Sequence, residues 1–171
     1  MSQMENTADQ LRGLMIACPA LTLAVAESLT SGHLQAAIGA RSGASNFFLG
    51  GITAYSIDQK VAHLGVDRDE AERTNAVSAE VADQMARGVC RLFGSDLGVA
   101  TTGYAEPSPE FRIEHPRAFW SIAHSPKGGA AVVRRGLVQC PGLDRVAVQR
   151  GVTTGVMHAL LEYLRLVRKG A

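Results

Sequence analysis

Residues 21–64, LTLAVAESLTSGHLQAAIGARSGASNFFLGGITAYSIDQKVAHL, decide the fold. The stretch opens on a continuous apolar run, Leu21 to Ala26, the pattern of a short strand covered on both faces. Glu27 and Ser28 stand where the run stops, and Thr30 or Ser31 can cap a following helix that buries Leu34, Ala37 and Ile38. A turn-rich patch, Gly39 to Ser45, leads into a second strand, Phe47 to Tyr55, with Gly50-Gly51 inside it. Paired glycines there fit either a bulge with close approach of another group, or tight packing against a helix. Ser56-Ile57-Asp58-Gln59 has the form of a capping box opening the helix that carries Lys60, and Gly65 is placed to end it. Ligands of open α/β sheets gather outside the carboxyl ends of strands. Ser28, Tyr55 and Lys60, delivered there by two strand ends, form a candidate nucleophile site.

Working outward, Met4, Ala8, Leu11 and Met15 recur at helical steps and mark an amphipathic first helix that ends at Cys18-Pro19. Downstream, Asp67 to Arg73 reads as a short exposed helix. Ser78 caps a longer one with Val81, Met85, Val89 and Leu92 on one face, closed by Gly94. Leu97 to Thr101 is a third strand, with Thr101-Thr102-Gly103 at its carboxyl end. Tyr104 to Pro116 is irregular and proline-bearing, and a loop of that length inside a compact domain tends to be functional. Phe119 to Ala123 and Ala130 to Val138 read as strands, and the short Ser125–Gly129 connection suggests an antiparallel hairpin. A last helix begins near Asp144, with Val152, Val156, Leu160, Tyr163 and Val167 as its buried stripe. Strand–helix alternation followed by a hairpin and a closing helix argues an α/β fold, a three-layer α/β/α sandwich with a mixed sheet.

The bulk numbers bound the function. A chain of 171 residues, 46% apolar and 19% charged, is globular and sized for one domain spanning residues 1–171. A net charge of +1 gives no electrostatic reason to expect nucleic acid or an anionic membrane as partner. No apolar run approaches the roughly 20 residues that span a bilayer, and the N-terminus lacks the basic and apolar pattern of a signal peptide. Three scattered cysteines, Cys18, Cys90 and Cys140, fit free thiols in a reducing cytoplasm. The five histidines form no metal-ligand spacing, so no metal is expected. Valine and leucine on the terminal helices can pair subunits, which makes a homo-oligomer the expected assembly.

A serine hydroxyl is a weak nucleophile until a neighbouring group takes its proton, and lysine does so only when burial or a nearby cation lowers its pKa. Ser-Lys pairs are a known variant of the catalytic triad. Tyr55 between the two can relay or orient the proton. Thr102, or main-chain N–H groups near Gly103 and the helix after Thr30, can hold a developing oxyanion. The same residues also fit a plainer account, in which Ser28 caps a helix and Lys60 is a solvated surface charge.

Four blocks bear on that choice: AESLTSG, then SGASNFFLGGITAYSIDQKVAHLGV, then AVSAEVA, then TTGYAEP. In this order they resemble the signature blocks of the CinA C-terminal domain family, densely from Ala24 to about Ala105. Characterised members are nicotinamide-nucleotide amidohydrolases, which convert nicotinamide mononucleotide to nicotinate mononucleotide and ammonia. The resemblance implies the stand-alone form of the domain and that activity, on this nucleotide or a related amide, as part of NAD salvage. It places the nucleophile on Ser28, the family's tyrosine and lysine on Tyr55 and Lys60, and its hydroxyl residue on Thr102. Glu27, Thr30, Gly32, Gly103 and Arg145 are implied to bind substrate, Arg145 because LDRVAVQR resembles the family's helix-opening block. Neither cofactor nor metal is implied, and the partner is a small nucleotide.

Departures from the family pattern cluster in two places. Leu29 replaces a cysteine, Ser31 a glycine and Ile57 an asparagine. Glu106 replaces a glycine, and Ser108-Pro109-Glu110-Phe111-Arg112 stands in place of a glycine-rich loop. Arg117 stands near a glycine position, and Gln149 occupies the place of a second helix arginine. Prolines remove N–H donors, and an inward-facing Glu106 would repel a phosphate. Arg112, Arg117 and Arg145 can compensate, since arginine holds phosphate bidentately. The alternative function is therefore a catalytically silent or altered-ligand binding domain of the same family.

Overall fold

The computed structural model describes residues 3–125 and 132–170. At its centre is β1 (Leu23–Glu27), every residue of which is buried. It pairs in parallel with β2 (Phe48–Thr53) on one side and β3 (Leu97–Tyr104) on the other. Beyond β3, β4 (Arg117–His124) and β5 (Val132–Gln139) add antiparallel strands, giving the five-stranded order β2-β1-β3-β4-β5. The mixed sheet expected from the sequence is thus present. The β4–β5 connection at 126–131, where the hairpin turn and Ala130 were expected, lies outside the described residues.

Period-two alternation in β1 and β3 splits the core. Leu23, Val25, Leu97 and Val99 face one layer of α1 (Gln3–Ile16), α2 (His33–Gly39) and α6 (Arg145–Lys169). Ala24, Ala26 and Ala100 face the other, built from α3 (Ile57–Leu64), α4 (Arg68–Arg73) and α5 (Ala79–Phe93). Leu11, Leu34, Leu97, Leu160 and Leu164 are covered completely or nearly so. Each such leucine stabilises the fold by about 2 kcal/mol.

The Gly50-Gly51 pair serves both purposes that the sequence left open. The β1–β2 register slips between Leu23/Phe48 and Ala24/Gly50, which is a bulge, and Gly50 takes φ 133°. A Cβ on Gly51 would lie 2.8 Å from the Val25 carbonyl and from the Gln35 side chain, so packing against α2 also demands glycine.

Helix starts follow local capping where expected. Ser56 accepts from the Gln59 N–H, Ser78 from Val81 and Asp144 from Ala147. The cap expected from Thr30 or Ser31 is absent, because the N-cap position of α2 is Gly32, and the helix takes its side-chain acceptor from elsewhere. Leu92, assigned to the buried face of α5, is 48% exposed, because the stripe of Val81, Met85 and Val89 continues through Phe93, which packs against the core. Ala37 and Val167 are only half-buried.

Candidate active site

β1 ends at Glu27, and its carboxylate is completely buried. One oxygen accepts from the Gly32 and Leu34 N–H groups at 3.0 and 3.1 Å, the other from Gln35 at 2.8 Å. A strand-end acid thus satisfies the first amides of α2 and holds the intervening turn against the sheet. Within that turn the Ser31 N–H donates to the Ser28 carbonyl at 3.1 Å. Ser31 and Gly32 adopt φ 51° and 95°, left-handed conformations that glycine takes at least cost. The Thr30 hydroxyl bonds Thr101 at 2.8 Å beneath the sheet, both residues fully buried. This clamped turn leaves Ser28 at the top of β1 with only 7% exposure.

Lys60 comes to the same point from α3. Starting at Ser56, the helix turns residue 60 inward, where the side chain is 2% exposed. Its Nζ donates to Ser28 Oγ at 3.0 Å and to the Tyr55 main-chain carbonyl at 2.9 Å. Burial draws the ammonium down to about 8, from 10.5. Keeping the cation in the fold therefore costs about 3 kcal/mol relative to water. At pH 7 about a tenth of Lys60 is a free amine in contact with a hydroxyl, and about half at pH 8, the state a general base requires. The tyrosine relay expected from the sequence is not the geometry seen. Lys60 meets Ser28 directly, Tyr55 touches Lys60 through its carbonyl, and its side chain stands at the rim, 56% exposed.

The opposite wall comes from β3. Thr102 is buried and donates its hydroxyl proton to the Ala76 carbonyl at 2.6 Å. That proton is engaged, so Thr102 works as a latch on residues 75–77 rather than as the oxyanion donor the sequence suggested. Asn75 and Ala76 take φ 51° and 54°, and Asn75 Nδ2 donates to the Tyr104 hydroxyl at 3.1 Å. Consecutive left-handed non-glycine residues are strained, and surrounding bonds hold them there. Gly103 is set by close approach of β4, since a Cβ would lie 2.6 Å from Ala118 Cα.

These parts enclose a cavity of about 370 Å³, within the range of small-molecule sites. Ser28, Tyr55, Lys60, Thr102, Gly103 and Arg145 all line it. Glu27, Thr30 and Gly32 do not: they build the turn beneath Ser28, and the α2 amides expected to serve an oxyanion are held by Glu27. Arg145 Nε lies 3.2 Å from a Glu106 carboxylate oxygen, both on the lining. Arg112 and Arg117 line a separate, smaller cavity with Glu114, His115 and Gln139. Sequence reasoning assigned no role to the Asn75–Val77 wall, although the AVSAEVA block begins at Ala76 and the turn-forming asparagine precedes it. Among the described residues no group of His, Cys, Asp and Glu side chains could hold a metal ion, and no helix is long and apolar enough to cross a membrane.

Comparison with known proteins agrees with this architecture. Residues 5–164 match the family model described as the CinA C-terminal domain. A CinA-like protein of Mycolicibacterium vanbaalenii is 39% identical over 139 residues, covering 81% of this chain and 32% of that protein. A CinA-like protein of Chlorobium limicola is 46% identical over 104 residues, 61% of this chain and 24% of that protein. The chain thus spans about a quarter to a third of the length of these relatives. Among solved structures, a competence-damaged protein (CinA) superfamily protein from Klebsiella pneumoniae superposes with TM-score 0.83 at 24% identity, over 96% of this chain and 99% of that one. A superfamily member from Escherichia coli gives TM-score 0.76 at 26% identity, over 97% and 93%.

Proposed function

The chain belongs to the CinA C-terminal domain family, and from that premise we propose that it is a serine-type amidohydrolase acting on nicotinamide mononucleotide or a related carboxamide. The observation that carries this reading is the buried Lys60 Nζ, 3.0 Å from Ser28 Oγ across 32 residues of sequence. A solvated surface lysine would not be completely enclosed, and a helix-capping serine would face amides, not an amine.

In the proposed reaction the neutral Lys60 amine takes the Ser28 proton as Oγ attacks the carboxamide carbon. The tetrahedral intermediate collapses when Lys60 returns that proton to the departing nitrogen, releasing ammonia and leaving an acyl-serine. Water, deprotonated by Lys60, then attacks the ester, and the proton returns to Ser28 as the acid leaves. Main chain at Gly103, on the cavity wall, is the proposed oxyanion support. Tyr55 frames the entrance, and Thr102 positions the 75–77 wall.

The test is ammonia release from nicotinamide mononucleotide and from its phosphate-free riboside. Ser28→Ala and Lys60→Ala should each lower turnover by several powers of ten while the proteins stay folded. Unchanged release from Ser28→Ala would overturn the assignment. An altered-ligand reading keeps one specific support, the ion pair between Glu106 and Arg145 in the cavity lining. Saturable binding of these amides without ammonia release would favour it.

A further inference from the structure

We propose that the Glu106–Arg145 pair sets the substrate class, so that the cavity accepts a neutral or cationic carboxamide and discriminates against the same compound carrying a phosphate. This deepens the amidohydrolase reading, which supplies only the reacting carboxamide.

Three charged side chains line the cavity: Lys60, Glu106 and Arg145. Lys60 is sequestered at the floor against Ser28 and the Tyr55 carbonyl. Arg145 is therefore the cation left to meet an anionic group, and Glu106 already occupies it at 3.2 Å. Both side chains are about half-exposed, so the pair itself is weak and opens readily. Opening does not help a phosphate, because the carboxylate remains beside it.

The adjoining loop has few main-chain donors to offer. Pro107 and Pro109 have no N–H. The Ser108 N–H donates to the Ile113 carbonyl and that of Ile113 to Ser108, both at 2.9 Å. The Phe111 and Arg112 N–H groups donate to Ser108 and Pro109 carbonyls at 3.1 Å. A loop with two prolines and these four amides closed on its own carbonyls lacks the run of convergent N–H groups that wraps a phosphate. Arg112 and Arg117 face the other cavity. A phosphate dianion a few ångströms from Glu106 in partly hydrated surroundings loses about tenfold to a hundredfold in affinity.

Nicotinamide riboside and nicotinamide mononucleotide share ring, carboxamide and ribose and differ by the phosphate, which makes them the matched probes. Their dissociation constants are measured by titration calorimetry on Ser28→Ala protein, where affinity is read without turnover. The riboside should bind at least about tenfold tighter. Adding Glu106→Gln should move the ratio about tenfold or more toward the mononucleotide, and adding Arg145→Gln should move it away. Both side chains are exposed, so neither change threatens folding. A parent protein that prefers the mononucleotide, a ratio that Glu106→Gln leaves within about twofold, or binding of neither compound would overturn the proposal. A shifted ratio with no ammonia released by the wild type would instead sink the hydrolytic reading and leave this one standing.

Discussion

Replacing Lys60 by methionine should stabilise the protein at neutral pH while abolishing turnover, and the pH dependence of that gain carries the diagnosis. In the fold the lysine titrates near 8, in the unfolded chain near 10.5. Below about pH 8 both states are protonated, and the full burial penalty of about 3 kcal/mol applies. Between the two values the unfolded chain binds more protons, so wild-type stability rises with pH. Above about pH 10.5 both states are neutral, and the penalty is gone. Methionine removes the penalty but also two hydrogen bonds, to Ser28 Oγ and the Tyr55 carbonyl, together worth about 1.5 kcal/mol. Lys60→Met should therefore be about 1.5 kcal/mol more stable than wild type near pH 6.5 and slightly less stable near pH 10. Urea unfolding of both proteins across that range measures the difference. Burial also raises the Cys90 thiol and the Tyr163 phenol, whose ionisation weakens the fold at high pH, but both groups are common to the two proteins and cancel. In the wild type, kcat/KM should rise with pH and level off above about 8 as the amine is freed. A stability difference constant to within about 0.5 kcal/mol across the range would refute the buried-amine argument.

Glu27→Gln keeps the shape of the strand-end cap but turns an amide NH2 toward N–H donors, and should cost about 2–3 kcal/mol, read as a lower urea midpoint. A loss under about 1 kcal/mol would mean that the turn beneath Ser28 is held by something else. Thr102→Val leaves the buried Ala76 carbonyl without its donor and should lower stability by about 1–2 kcal/mol, with turnover falling alongside, whereas Thr102→Ser should restore both. If the valine variant lost activity by several powers of ten at unchanged stability, Thr102 would act on the substrate directly.

What could be read from the chain divides by the range of the interaction involved. Ser56 and Ser78 were legible as caps, and Asp144 as the start of a helix, because each accepts from an N–H three residues ahead, a pattern written in consecutive letters. The start of α2 was misread for the complementary reason. Its cap is Glu27, reaching forward five to eight residues from a strand end, outside the reach of any local signature. After Val81, Met85 and Val89 the helical period admits either Leu92 or Phe93 as the next buried residue, and only the packing selects Phe93. Ser28 and Lys60 could be placed at neighbouring strand ends, but their contact and the enclosure that lowers the lysine are tertiary facts. Likewise Glu106 stood out as a departure, while its partner lies 39 positions away on α6.

Three of the four left-handed non-glycine residues among those described meet at one place with a buried lysine, while the fourth, Arg112, lies on the other cavity. A fully enclosed lysine lies at the cavity floor, Ser31 holds a left-handed conformation in the turn beneath Ser28, and Asn75 and Ala76 do so in the opposite wall. Left-handed non-glycine residues cost about 1 kcal/mol or more each, and the lysine costs about 3. None of these features is needed to close a sandwich whose two cores are already filled by leucine, valine, alanine and methionine. Such conflicts persist where they serve a site, and here all of them act on the position of one hydroxyl or the wall that faces it. Ser31 and Gly32 set the turn that presents Ser28, Lys60 touches its Oγ, and the Thr102 latch holds the strained wall in place. Strain concentrated this way argues for chemistry at Ser28 independently of any family likeness, and Ser28→Ala should remove activity while leaving the strained turn and wall in place.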